Sequence, residues 1–197
     1  MSELKVNKIS PRSGTDVTLG DSGDTITIPS GATITNSGTA TGFGGTNTPA
    51  FQVNLSADQT ISDNVNTKIQ FDREVFDTDN AFDSTTNYRF TVPSGQDGKY
   101  FIYLNALCTA ASTSDADQIF ASISVNGTTR AEMCGADFRG NPGTKATVNA
   151  TLTLNLSASD YVEAFARINS QTTAVSVSSG GTSRPDETSF GGYKIIE

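Results

Sequence analysis

The sequence predicts an all-β protein, a jelly-roll sandwich of about ten strands behind an extended, β-rich N-terminal stem. The first observation is composition: hydrophobic residues make up 35% of the 197 residues, and 18 glycines accompany abundant Thr, Ser and Asn. Average chains contain about 45–50% apolar residues when glycine is counted among them, and the replacement of Leu, Lys and Glu by these small and polar residues favours strands and turns over helices. The second observation is that apolar and polar residues alternate in short segments, whereas no segment shows the helical period.

Residues 50–197 contain the predicted strands of a head domain. Each segment is rich in β-branched or aromatic residues and is bounded by turn residues. Asn126-Gly127 is the strongest hairpin signal in the chain, since this dipeptide favours a type I′ turn. In order, the predicted strands are residues 50–55, 67–72, 88–92, 99–108, 118–125, 128–138, 146–156, 161–168, 173–178 and 190–196.

Aromatic residues stand within or beside these strands, and most are expected to fill the core between two sheets. A stacking site for sugars is the alternative interpretation, but the chain contains no Trp. The aromatic residues concerned are Phe51, Phe71, Phe82, Tyr88, Phe90, Tyr100, Phe101, Phe120, Tyr161, Phe165, Phe190 and Tyr193.

Residues 1–49 differ in composition and predict a stem for trimerisation and attachment. Short alternating pairs recur between glycine-containing turns, which predicts short strands. A flexible linker is the alternative, but a linker has no need of Ile and Val at alternate positions. Each chain offers one thin apolar row, which three parallel copies would bury along a shared axis. The predicted stem residues are Leu4, Val6 and Ile9, which form a separate motif, and Val17, Leu19, Ile26, Ile28 and Ile34.

The charge of the chain excludes several classes of partner. Its net charge of -8 repels phosphate, so we expect neither a nucleic-acid partner nor an anionic membrane surface, and the short apolar runs predict no membrane insertion. The longest apolar runs are too short to span a bilayer, and the first residues lack the apolar core of a secretory signal peptide. We therefore expect synthesis and assembly in a cytoplasm.

The absence of histidine argues against an enzyme. Catalysis by Ser-His-Asp or Cys-His and imidazole zinc sites all require that residue. Glu74, Asp77, Asp79 and Asp83 are close in sequence, but acidic residues at this density in a loop are usually solvated turn formers. We expect no catalytic residues.

The two cysteines are too few for a disulfide scaffold. Cys108 and Cys134 are interpreted as two buried thiols or, alternatively, as one bridge.

An ordered set of short motifs in the head resembles the complement globular-head domain and its tumour-necrosis-factor-like relatives. The resemblance implies a ten-stranded jelly roll packed as a homotrimer, with a trimer core that contains Phe51, Tyr100, Phe190 and Tyr193. No family calcium motif is present, so no cofactor is expected, although Asp77, Asp79, Asp115 and Asp117 are candidates for holding an ion. The matching motifs are Ala50-Phe51, Ile69-Gln70-Phe71-Asp72, Phe82-Asp83, Tyr88-Arg89-Phe90-Thr91-Val92-Pro93, Gly98-Lys99-Tyr100-Phe101, Leu152, Leu154, Leu156, Ser159-Asp160-Tyr161-Val162 and Ser189-Phe190-Gly191-Gly192-Tyr193.

The stem resembles a different group, the amino-terminal parts of structural proteins of tailed bacteriophages, especially marine ones. The segments LKVNKISPRSG and GDTITIPSGATITNSGTATGFGG carry that resemblance. It implies a non-enzymatic homotrimer on the virion surface, a short tail fibre held by other virion proteins such as a tail adaptor or the major capsid protein. One alternative is a capsid decoration or head-fibre protein at threefold positions of the shell. Another is a soluble lectin-like module unconnected with a virus.

Long polar loops of the head are the predicted contacts with a host-surface glycan or protein. They tolerate change, as receptor-binding loops must. The loops are residues 78–87, 109–117 and 180–187, and their candidate residues are Asp79, Asp83, Asp115, Asp117, Arg184 and Asp186.

Overall fold

The computed structural model describes residues 6–37, 47–110, 116–139, 143–171, 175–181, 183 and 186–195. The chain divides into two compact units, Met1–Phe43 and Gly44–Glu197, a few residues before the predicted boundary. The described residues include no helix with the length and hydrophobicity that a transmembrane span requires.

The first unit forms turns but no strands among its described residues 6–37, so the predicted short strands are absent from the single chain. The turns are present: the Asp24 amide donates to the Asp21 carbonyl at 3.0 Å, and the Ala32 amide donates to the Pro29 carbonyl at 3.1 Å. A strand requires a hydrogen-bonding neighbour, and one copy of this segment supplies none.

The apolar stem residues are consequently exposed. Their exposed fractions run from 44% for Val17 to 61% for Leu19, and Leu4 lies outside the described residues. The other members of the row are Val6, Ile9, Ile26, Ile28 and Ile34.

The described residues of the second unit, the head, form thirteen strands. They are β1 Ala50–Asn54, β2 Gln59–Ile61, β3 Thr67–Lys68, β4 Arg73–Asp77, β5 Phe82–Asp83, β6 Arg89–Thr91, β7 Gly98–Ala110, β8 Ala116–Val125, β9 Thr128–Asp137, β10 Lys145–Leu156, β11 Tyr161–Ser170, β12 Val175–Ser178 and β13 Ser189–Lys194.

These strands form two antiparallel sheets, which confirms the predicted all-β sandwich. The front sheet has the order β2-β12-β7-β13-β1-β4, with β10 on the other edge of β7. The back sheet has the order β5-β6-β11-β8-β9, with β3 paired to β11. The thirteen-residue strand β7 is central to the front sheet, because it pairs with β10 along one edge and with β12 and β13 in tandem along the other.

The strand predictions agree with the structure at every predicted segment, although residues 67–72 yield only the two-residue β3. The prediction missed β2, β4 and β5. β4 reads Arg-Glu-Val-Phe-Asp and exposes Val75 and Phe76, so it lacks the usual pattern of one polar and one apolar face. Asn126 and Gly127 have φ of 51° and 76°, which fits the predicted type I′ turn between β8 and β9.

The core lies between the sheets and is rich in aromatic residues. Phe51 stacks on Phe90 at 4.6 Å between ring centroids and meets Phe190 edge-on at 5.3 Å. Six of the twelve predicted core aromatics are buried: Phe51, Phe71, Phe82, Phe90, Tyr100 and Phe190. Five others are partly exposed and Tyr193 is exposed, because neighbouring residues of one strand point to opposite sides of the sheet.

Thr188 joins the two tandem strands that share one edge of β7. Its side chain is fully buried, and its hydroxyl accepts the amide of Leu107 at 3.0 Å while donating to the carbonyl of Ser178. The Leu107 amide of β7 and the Ser178 carbonyl at the end of β12 therefore share one hydroxyl as their partner.

We expect Thr188→Val to lower the free energy of unfolding by about 1–3 kcal/mol, because the valine leaves a buried amide and a buried carbonyl without a partner. Urea unfolding at one fixed protein concentration measures the change. Thr188→Ser retains the hydroxyl and serves as the control, with a much smaller loss expected. Equal stability of the valine variant and the wild type would contradict this role.

Candidate functional site

The outer face of the front sheet carries a group of exposed and partly exposed aromatic side chains. Because Tyr100 and Ile102 of β7 point into the core, Phe101 and Tyr103 point outward. The Phe101 ring lies 5.5 Å from the Tyr193 ring of β13 and 6.5 Å from the Tyr103 ring. Phe76 of β4 lies further along this face, opposite Gln52 of β1, and is 46% exposed. We call Phe76, Phe101, Tyr103 and Tyr193 the aromatic platform.

Gly191 explains how Tyr103 can lie across β13. A Cβ atom at position 191 would stand 2.4 Å from the Tyr103 hydroxyl, closer than atoms can approach. The same hydroxyl donates to the Gln52 amide oxygen at 3.1 Å, which bridges β7 to β1 across β13. Burial raises the pKa of Tyr103, so the phenol stays neutral at ordinary pH.

Polar but uncharged side chains surround the platform. Asn149 of β10 donates to Asn105 of β7, which donates in turn to the Ser189 hydroxyl of β13 at 3.1 Å. These hydrogen-bonded side chains link three neighbouring strands. Between Lys99 and Lys145, at opposite ends of the face, the outward residues of β7, β10 and β13 are all uncharged. A face of this kind is unusual on a chain with a net charge of -8.

The outer face of the back sheet is different, because it carries charged groups and two pairs of them lie in contact. Arg167 lies 3.9 Å above the ring of Phe120 and donates to Glu132 at 3.3 Å. Lys68 pairs with Glu163, whose side chain is nearly buried. This face needs no further partner and suits contact with solvent.

Three of the four predicted trimer-core residues do not lie on an outer face. Phe51, Tyr100 and Phe190 are at most 1% exposed and belong to the core of a single protomer. The period of two places them on the inner side of their strands, and only Tyr193 points outward. The prediction missed Phe101 and Tyr103 as surface residues. The aromatics at 100, 101 and 103 were the available signal, since residues at odd and even positions of one strand must occupy both of its faces.

The predicted receptor loops lie in separate places on the head. Residues 78–87, with Asp79 and Asp83, lie beside the start of β1, because the Thr78 amide donates to the Ala50 carbonyl at 3.0 Å. Asp117 lies at the opposite end of the sandwich, at the start of β8. Asp186 contacts Asn54 at the end of β1. Asp115 and Arg184 lie outside the described residues.

The acidic residues of β4 and the loop after it build a turn. Asp83 accepts the amides of Thr85 and Thr86 at 3.0 and 2.9 Å, and the Thr86 amide contributes most to holding the pKa of Asp83 well below its usual range. Asp77 accepts the Phe82 amide at 2.7 Å, and Glu74 accepts the Ser84 hydroxyl at 2.6 Å. These carboxylates are occupied by the turn itself.

The four aspartates named as possible ion ligands are not brought together. Asp77 and Asp79 lie at one end of the sandwich and Asp117 at the other, while Asp115 lies outside the described residues. Within the described ranges, no three acidic or cysteine side chains cluster as metal ligands would. Cys108 is a buried free thiol, and burial raises its pKa to about 12. The side chain of Cys134 lies outside the described residues.

Two antiparallel sheets with this strand order make the head a jelly roll of the kind found in complement and tumour-necrosis-factor proteins, as the sequence resemblance implied. The globular domain of zebrafish complement 1qA protein aligns with a TM-score of 0.50 and 15% identity, over 75% of this chain and 97% of that chain. Eiger TNF from S. frugiperda aligns with a TM-score of 0.53 and 13% identity, over 74% and 91%. No protein-family model matches the sequence, and no curated protein is significantly similar to it. Identities this low show the fold alone.

We expect acid to destabilise the head. Amides and hydroxyls lower the folded-state pKa of three aspartates below the usual 3.8: chiefly the Ser179 amide for Asp58, the Thr86 amide for Asp83 and the Asn126 side chain for Asp160. A lowered folded pKa means that the contribution to stability is complete above the unfolded value and is lost as the pH falls through the folded value. The melting temperature should therefore be nearly constant from about pH 7 to 5 and fall below about pH 4.

The variant Asp83→Asn tests the cause, because its side chain cannot ionise. It should be less stable than wild type at neutral pH, and its melting temperature should fall less steeply with acid. A wild-type melting temperature that rises below about pH 4 would contradict the assignment.

Proposed function

We propose that this protein is a non-enzymatic homotrimer on the surface of a bacteriophage virion, a short tail fibre whose stem attaches to the particle and whose head binds the host surface. The observation that carries the proposal is the aromatic platform, an uncharged and partly apolar face on an acidic head. C1q- and TNF-like folds are often trimeric ligand-binding modules, and this likeness supports the proposal that the head is a trimer and binds a ligand.

The hydrophobic effect supplies the force for assembly. Tyr193 is 39% and Phe76 46% exposed, and removing each 100 Å² of such apolar surface from water stabilises a complex by about 2.5 kcal/mol. Three platforms around a common axis form a closed assembly. Because the platform is uncharged, three chains of charge -8 meet there without direct repulsion.

The stem supports the same assembly. Among its described residues 6–37 the apolar side chains are exposed and no strand forms in one copy. Three parallel copies would supply both the missing cover and neighbouring strands. The stem and the head therefore have the same requirement for further copies of the chain.

The non-enzymatic part of the proposal is supported by the state of the carboxylates. Glu74, Asp77 and Asp83 accept hydrogen bonds from their own loop, so these carboxylates hold the turn. The viral part is supported by the resemblance of the stem segments to tailed-phage structural proteins. A tail adaptor is the proposed partner of the stem for a fibre, and the major capsid protein for a decoration protein.

We expect the purified protein to have three times the mass of one 20.6 kDa chain by light scattering at micromolar concentration. The double variant Phe101→Glu/Tyr193→Glu should dissociate into folded monomers, because six carboxylates would meet around the axis. Thr86→Glu adds the same kind of charge on an exposed loop and should remain trimeric. A wild-type monomer at these concentrations would refute the assembly.

Deletion of residues 1–49 tests attachment. The truncated protein should keep a folded head that binds host cells, while its incorporation into particles is lost, because the stem is proposed to make the particle contact. Cryo-electron microscopy of particles carrying the full chain then separates tail from capsid placement. Glycan binding by the head without any particle association would instead favour the soluble lectin-like module.

A further inference from the structure

A groove opens at one edge of the head, between strand β9 of the back sheet and strand β10 of the front sheet. We call it the edge groove. Its volume is about 410 Å³, within the range of small-ligand sites. The polar side chains that line it are those of Asn126, Thr128, Arg130, Thr153, Asn155 and Asp160.

Two irregularities of β9 shape this groove. The register of β9 against β8 shifts near each end, so that Arg130 and Gly135 each lack a partner in the ladder. A Cβ atom at position 135 would stand 2.4 Å from a methyl carbon of Val148, so the glycine allows β9 to approach β10 closely at that end. The groove lies toward the other end of β9, beside Thr128 and Arg130.

The register shift at Arg130 places this residue in the lining of the groove. The register passes from Ile123 opposite Ala131 to Ser124 opposite Thr129, which makes Arg130 the extra residue of a β-bulge. A bulge redirects the side chain of its extra residue and is common beside functional sites. Arg130 forms no hydrogen bond or ion pair with the residues that the structure describes.

Apart from Asp160, the rest of the lining is uncharged. Thr128, Thr153 and Asn155 present hydroxyls and an amide, and the nearly buried Leu154 and Leu156 form an apolar floor. Asp160 brings a negative charge, but its two oxygens accept the Asn126 side chain at 2.7 Å and the Ser157 amide at 2.8 Å. Asn126 is held in turn by the Tyr161 amide at 2.9 Å.

We propose that the edge groove binds a saccharide that carries a carboxylate. The planar guanidinium of Arg130 matches a carboxylate in a bidentate pair, and the threonine and asparagine side chains match sugar hydroxyls. The uncharged part of the lining favours a polyhydroxylated ligand over a bare anion. This inference deepens the proposed binding of a host surface and rests on it, but it assigns the contact to the edge of the sandwich rather than to the polar loops.

Ligand-observed saturation-transfer NMR on the full-length protein tests the assignment. Methyl β-glucuronide should bind with a dissociation constant of about 1 mM or tighter, and methyl β-glucoside, which lacks the carboxylate, should bind at least about tenfold more weakly. Inorganic phosphate and glucose 6-phosphate distinguish a general anion site. Competition by inorganic phosphate as strong as that by the glucuronide would overturn the saccharide assignment.

Variants of the arginine locate the site. Arg130→Gln should lose at least about tenfold in glucuronide affinity, and Arg130→Lys should recover only part of it, because an ammonium cannot form the fork. Arg139→Gln removes the same charge at the other end of β9 and should bind normally. Unchanged affinity in Arg130→Gln would refute the proposal.

Light scattering and particle incorporation of each variant separate this inference from the proposed function. Loss of glucuronide binding by an Arg130→Gln protein that is still trimeric and still attached supports the edge groove. A wild-type trimer that attaches to particles but binds no glucuronide overturns the groove alone, and the proposed function stands.

Discussion

The rest of the structure depends on the alternation of side chains along β7. In this thirteen-residue strand, Tyr100, Ile102 and Leu104 point inward, while Phe101 and Tyr103 point outward. A strand with large apolar residues on both faces gains free energy from cover on both. The back sheet covers the inner face, and in one copy of the chain the outer aromatic residues are only partly covered.

Two glycines in β13 adapt the neighbouring strand to both faces of β7. At Gly192 a Cβ atom would stand 2.6 Å from the end of the Ile102 side chain, on the core side. At Gly191 it would meet the Tyr103 ring on the outer side. Consecutive glycines therefore let large side chains of β7 lie across β13 in opposite directions, which couples close core packing to the form of the aromatic platform.

The head separates its surfaces by chemistry. The aromatic platform is uncharged and suits burial against further copies of the chain, whereas the outer face of the back sheet pairs its own charges, as Arg167 does with Glu132. The edge groove lies where the two sheets part, and there Arg130 lacks such a partner among the described residues. Assembly and ligand binding are thus assigned to different parts of one sandwich, and the stem shares the requirement for assembly through its exposed Ile26 and Ile28.

The sequence by itself determined the all-β class, the position of the long strands and the hairpin at Asn126-Gly127, because periodicity and turn chemistry are local properties. It also determined that the stem has an apolar row. Only the tertiary structure decided that Phe51, Tyr100 and Phe190 face the core while Tyr193 faces outward, since alternation defines two faces without saying which one another sheet covers. The edge groove was equally beyond the sequence. It depends on bulges and on the close approach of Gly135 to Val148, which arise only when strands of different sheets pack together.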